Sequence, residues 1–212
     1  MKSFSHASAA CTMIVAMGCS AWSHAPRAAP VPVETLDFNG PHGFDFEFGE
    51  WHVHHRVKAP SGDHAWTQFD GMACDRPLME GSANVEDNTF FKSSGTTHGV
   101  ALRTYDARSG QWAIWWIDGR DPHAALDPPV KGSFVGGVGT FYSDGIIDGK
   151  PARTRFIWSH ITPNSARWEQ AYSLDAGKTW DTNWIMEFRR ASKGGAAAGR
   201  VPLCAALGPV GL

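Results

Sequence analysis

The chain has 212 residues, a formal net charge of −2 and an isoelectric point near 6.5. That balance excludes a global electrostatic pull toward nucleic acid or an anionic membrane surface, and no apolar run is long enough to span a bilayer. Ten Trp, twelve Phe and three Tyr make a heavy aromatic load, which either fills a core or lines a pocket for flat ligands.

In chain order, residues 1–25 read as a signal peptide. Lys2 is the charge of a short leader, Ala9 to Met17 form a short apolar segment, and Ser23-His24-Ala25 sets small residues at the −3 and −1 positions of a cleavage site. The expected location is therefore exported, periplasmic or extracellular. "VAMGCS" offers a second reading, in which Cys19 carries a lipid anchor. Pro26, Pro30 and Pro32 mark 26–43 as a linker. Cysteines stand at 11, 19, 74 and 204, and two of these lie in the leader. A bridge between Cys74 and Cys204 is compatible with the sequence but not dictated by it. Residues 191–212 are small, Gly- and Pro-rich and without an acid, and read as a disordered tail.

The core at 44–190 reads as strands and turns. In "HGFDFEFGEW", Phe44, Phe48 and Trp51 fall at i, i+4 and i+7, the spacing of one short helical turn that would plug a barrel mouth. From "WHVHHRV" at 51 to "TWDTNWIMEFRR" at 179 follow about ten strand-like segments in which aromatic and β-branched residues recur, often with period two. No long segment keeps a helical period. Short connections predict an all-β antiparallel meander, and closure into a barrel removes its exposed edges. "SLDAGKTW" at 173–180 has the pattern of the Asp box of sialidases, but one box in a chain of this length does not make a propeller. Asp175 and Gly177 read instead as turn residues, with Trp180 anchoring the next strand on the core. "YDARSGQW" sets Asp106, Gly110 and Trp112 in comparable order.

Gly49-Glu50-Trp51, opening the first strand after a short helical turn, resembles the calycin superfamily of lipocalins, fatty-acid-binding proteins and nitrobindin-like barrels. The resemblance implies that Trp51 packs near an arginine late in the barrel, Arg190 or Arg189. "FDFEFGEWHVHHR", "LRTYDARSGQWAIWWIDGR", "LDPPVKGSFVGGVGTFY" and "RWEQAYSLDAGKTWDTNWIMEFRR" are similar to an uncharacterised bacterial calycin-like family known only as a domain of unknown function. That likeness implies a fold and carries no catalytic residues.

Alternation sorts the faces. On the last strand Trp184, Met186 and Phe188 go inside. Arg167 and Glu169 point out, so Trp168, Gln170 and Tyr172 point in. Arg153 and Arg155 point out, because an unpaired buried charge is costly, so Phe156, Trp158 and His160 point in. Trp51, Val53 and His55 share the inner face of the first strand. In "HGVALRTY", His98, Val100 and Leu102 share a face, with Arg103 outside. A one-residue bulge would reverse any of these assignments. Trp116, Phe156, Trp158, His160, Trp168, Gln170, Tyr172, Trp184 and Met186 are the expected lining of a Trp-rich cavity.

The reading that follows is an exported barrel binding a small, mostly apolar aromatic molecule. The alternative is a cofactor-independent enzyme (lyase, isomerase or hydratase) using His160, Tyr172 and His98 for acid–base work. A second alternative is a filled-core structural or partner-binding domain. Triad, P-loop and dinucleotide motifs are absent from the sequence. His52 and His54 share a strand face, with His64 or Asp63 as the third ligand a metal would need. They read as solvated surface histidines, and no metal site is expected. No cofactor is expected either, with haem on His160 or His98 as the lesser alternative. The polar connection at 118–129, "DGRDP" to "LDPP", is placed over one barrel mouth.

Overall fold

The computed structural model describes residues 35–58, 65–147, 149–191 and 204. The predicted signal peptide with Cys19, most of the linker, Asp63, His64 and all of the tail beyond 191 except Cys204 lie outside the described residues. Ten strands run in order: β1 (Gly49–Lys58), β2 (Trp66–Leu78), β3 (Ala83–Lys92), β4 (Gly95–Asp106), β5 (Gln111–Asp118), β6 (Val130–Val135), β7 (Val138–Ile147), β8 (Lys150–Thr162), β9 (Ser165–Ser173) and β10 (Asp181–Arg190). Each pairs antiparallel with the next. β1 pairs with β10 from Trp51↔Arg190 to Val57↔Trp184, which closes the ring. The expected antiparallel meander of ten strands, closed into a barrel, is the fold. Among the described residues no helix is long and apolar enough to cross a membrane.

One end is closed by the segment before β1. The expected helical turn is two 3-10 turns, Gly40–His42 and Asp45–Glu47. They carry Phe44 and Phe46 into the barrel, where Phe44 meets Trp112 edge-on at 5.0 Å and Phe46 meets Trp158 at 5.5 Å. Gly43 has no room for a side chain, since a Cβ would lie 2.9 Å from both Phe134 and the Trp112 indole nitrogen. Trp51 is fully buried, and its indole N–H donates to the Glu47 carbonyl at 2.6 Å. The Arg190 guanidinium stacks 4.1 Å above that ring. Its N–H groups donate to the carbonyls of Phe46, Phe48 and Pro163 at 2.5, 2.7 and 2.5 Å. The arginine implied for this end is thus Arg190; Arg189 is exposed.

The inward faces of β1, β9 and β10 follow the alternation, and two strands correct it. On β4 the phase is reversed: Ala101 and Arg103 are buried inside, Arg103 only 2 % exposed, while His98 is exposed and Val100 and Leu102 share its outer face. The expectation placed an arginine in water because nothing near it in sequence would neutralise it. The three carboxyls that do so come from other elements. On β8, Phe156 and Trp158 face in, but the register shifts between Ser159 and Thr162 and His160 takes φ 51°. This bulge turns the His160 imidazole to solvent, and Ile161 packs on the core instead.

The 173–180 stretch is a turn. The Asp175 carboxylate accepts from the Ser173 hydroxyl at 2.7 Å, the Thr179 amide at 2.9 Å and the Thr179 hydroxyl at 2.7 Å. These contacts, the Thr179 amide first, pull its pKa down to about 2. Asp106 does the same for Arg108 and Ser109 in the β4–β5 hairpin. Trp180 does not reach the core. It precedes β10, its N–H is held by the Gly177 carbonyl at 3.1 Å, and it lies on the outer face under Arg155 at 4.3 Å and beside Tyr142. Cys204 is bonded to Cys74 on β2, with Cα atoms 5.4 Å apart. The C-terminal segment is therefore not a free end at that point.

Candidate functional site

Opposite the plugged end lies a cavity of about 340 Å³, open to solvent. Its main wall is built by three adjacent strands. β8 supplies Phe156 and Trp158, β9 Trp168, Gln170 and Tyr172, and β10 Trp184 and Met186. Registers Trp158↔Trp168 and Met186↔Trp168 place these side chains next to one another. Phe156 and Trp184 both meet Trp168 edge-on, at 4.8 and 5.7 Å. Such tilted contacts leave ring faces available to a flat guest. Across the cavity stands Trp116, 38 % exposed, its ring laid against Gly99. A Cβ at Gly99 would sit 2.2 Å from that ring, so only glycine lets Trp116 lie along the wall.

The mouth follows from a break in pairing. β5 pairs with β6 only from Trp112↔Gly132 to Ile114↔Val130, so Trp115–Asp118 have no β6 partner. Asp127 and Pro128 of the following connection and Ser143–Ile147 of β7 border the cavity there. The 118–129 connection thus lies at one barrel mouth.

The inner end of the cavity is polar, and sequence reasoning missed it. Arg103 donates to Asp75 at 2.6 Å, to Asn84 at 3.0 Å and to Glu47 at 3.0 Å, and it is also paired with Glu86. Its guanidinium lies 4.8 Å from the Phe44 ring centre. All four charged side chains are essentially sealed from solvent. Burial pushes the Glu47 and Asp75 carboxyls well above the usual range, with Arg103 acting against it. Burial works against the Arg103 charge, but Glu47, Glu86 and Asp75 outweigh it and hold its pKa above normal. The one available signal was on β3, where Asn84, Glu86, Asn88 and Phe90 alternate onto one face, a polar stripe running into an aromatic.

Of the nine side chains expected to line the cavity, eight do so; His160 does not. Of the acid–base candidates only Tyr172 borders the cavity. Its hydroxyl accepts from Gln170 at 2.9 Å, and burial raises its pKa, opposed by Asn183 and supported by the Asp127 carboxylate. His98 sits outside, 3.3 Å from the Thr89 hydroxyl. Neither histidine named as a haem ligand faces the cavity. His55 is inward and 1 % exposed, stacked on Phe69 at 4.7 Å, and accepts from the Trp184 indole at 3.3 Å. Burial lowers its pKa to about 3, so it is a neutral ring supporting Trp184 from behind. His52 and His54 are exposed on the outer face. The His54 ring nitrogens lie 2.7 Å from Asp70 and 3.0 Å from Gln68, and these contacts, Asp70 first, raise its pKa.

No family model matches this chain, and no curated protein does. Among solved structures it is similar to the S-type phycobiliprotein lyase CPES of Guillardia theta, at 9 % identity, over 71 % of this chain and 91 % of that one, with a TM-score of 0.48. The closed antiparallel barrel rests on the strand pairing of this chain itself.

Proposed function

We propose that this protein is exported and binds a small, mostly apolar aromatic molecule in its internal cavity. The observation that carries the reading is a 340 Å³ space, plugged at one end, open at the other, and walled by Phe156, Trp158, Trp168 and Trp184. Pockets of this kind and size bury most of a small ligand's surface and orient it with a few polar groups. A barrel serving only as a structural domain would let its own rings fill that volume. The binding reading is preferred over catalysis because His98 and His160 are outside and Tyr172 is a hydrogen-bonded phenol with a raised pKa. Export is supported by the Cys74–Cys204 bond, since disulfides persist in oxidising compartments. The test is native mass spectrometry on protein purified without denaturation. A small organic molecule carried in stoichiometric amount, released on unfolding, is the expected result. Protein that carries nothing and takes up no flat aromatic compound would remove the proposal.

A further inference from the structure

The charged groups at the inner end of the cavity are turned on one another. Glu47, Asp75 and Glu86 share Arg103, and all four side chains are no more than 4 % exposed. Polar groups within a guest's reach stand nearer the mouth, on the same wall as the rings. Thr154 and Tyr172 are register partners across β8 and β9, Gln170 precedes Tyr172 on the same inner face, and all three border the cavity half-buried. The β9–β10 register shifts between Thr182 and Trp184, and the extra residue, Asn183, joins this group. The Gln170 amide donates to the Tyr172 hydroxyl at 2.9 Å and to Asn183 Oδ1 at 3.3 Å. Tyr172 Oη is thus fixed as an acceptor within the wall, and its own proton meets no acceptor among the described residues. Burial raises the Tyr172 pKa, opposed by Asn183 and supported by Asp127, so the phenol keeps that proton. A guest that covers the phenol shuts it from water, and a donor left without an acceptor costs its desolvation.

We infer that the ligand is a neutral aromatic carbonyl compound, its ring among Phe156, Trp168 and Trp184 and its carbonyl oxygen accepting from the Tyr172 hydroxyl near the mouth. This rests on the binding function proposed above and names the ligand class. A carbonyl conjugated with a ring is coplanar with it, so the guest stays flat against the wall while offering in-plane lone pairs at its edge. An anionic acceptor is disfavoured because the Asp127 carboxylate borders the same part of the cavity. The rings supply affinity for the body, Tyr172 selects the oxygen, and Gln170 and Asn183 position Tyr172.

The test uses three probes on one skeleton, titrated calorimetrically: 2-acetylnaphthalene, its isostere 2-isopropenylnaphthalene, and 2-naphthoate. The quantity read is the ketone-to-isostere affinity ratio, compared between wild type and Tyr172→Phe so that the different hydrophobicities of the probes cancel. The ratio is expected to fall at least about fivefold in Tyr172→Phe, the scale of one hydrogen bond lost to a buried donor, with the isostere bound no more weakly than before. Isotope-edited infrared difference spectra of the bound ketone give a second readout. In wild type the carbonyl stretch is expected where a hydrogen-bonded ketone absorbs, and in Tyr172→Phe at the higher wavenumber of a ketone in alkane. The wild-type spectrum alone covers the case in which the variant does not fold. A smaller change in the ratio, an alkane-like stretch in the wild type, or tightest binding of 2-naphthoate overturns the inference while leaving a cavity that binds apolar molecules. Absence of binding by all three removes the binding function as well.

Discussion

Replacing Arg103 by Met tests whether the sealed cluster is held by its one cation. The side chain is 2 % exposed and bonded to Glu47, Asp75, Asn84 and Glu86. Removing one partner of a buried ionic network costs about 3–5 kcal/mol, because the remaining charges have neither water nor a counterion. For a barrel of roughly 150 residues, at about 2–4 °C per kcal/mol, that is a melting point lower by around 10 °C or more. The loss must also depend on pH. Burial already raises the Glu47 and Asp75 carboxyls in the folded state, and Arg103 opposes it, so its removal raises them further. A group whose folded pKa exceeds its unfolded value contributes stability at low pH and loses it as pH rises through the folded value. The deficit of Arg103→Met relative to wild type is therefore larger at pH 8 than at pH 5. His55, lowered to about 3, gives the opposite slope, but equally in both proteins, and cancels in the difference. Urea unfolding with the disulfide intact, followed by Trp fluorescence at both pH values, measures it. A deficit under about 1 kcal/mol, or one larger at pH 5, refutes the reasoning.

Arg190→Ala removes three carbonyl contacts and the stack on Trp51, and is expected to cost about 2–4 kcal/mol by chemical unfolding; a neutral result would detach the plug from barrel stability. Asp175→Ala should lower the melting temperature through its lost turn bonds and leave ligand affinity unchanged, since it touches no cavity residue; a folded variant with weakened binding contradicts this. His160→Ala and His98→Ala should each leave ligand affinity within about twofold, and a tenfold loss in either would place a histidine in the site against the geometry.

The barrel was legible because its strands carry period-two aromatics and its turns carry Asp and Gly at the required positions. The long wall was legible for a related reason. Arg153, Arg155, Arg167 and Glu169 mark the outer face of β8 and β9, which fixes Phe156, Trp158, Trp168 and Tyr172 inside. The same rule failed at Arg103, where charge did not mean solvent. Its partners sit on the plug, β2 and β3, and a neutralised cluster assembled from distant segments has no local signature. His160 failed for a different reason. A bulge is a backbone event of one residue, and nothing in "FIWSHIT" distinguishes an inward His160 from the inward Ile161 that is found. The Cys74–Cys204 bond shows a third limit, since the cysteine positions allow that pairing without dictating it.

The central claim is that the internal space is a binding site, and filling it tests that most directly. Ala101, 6 % exposed, lines the cavity between β3 and β5, and Ala101→Phe occupies space a ligand would need. Titration of 1-propylnaphthalene, followed by Trp fluorescence, should give saturable one-to-one binding in the wild type. In Ala101→Phe, shown folded by its melting curve, affinity should fall at least about tenfold. No saturable binding by the wild type, or equal affinity in the filled variant, would contradict the account.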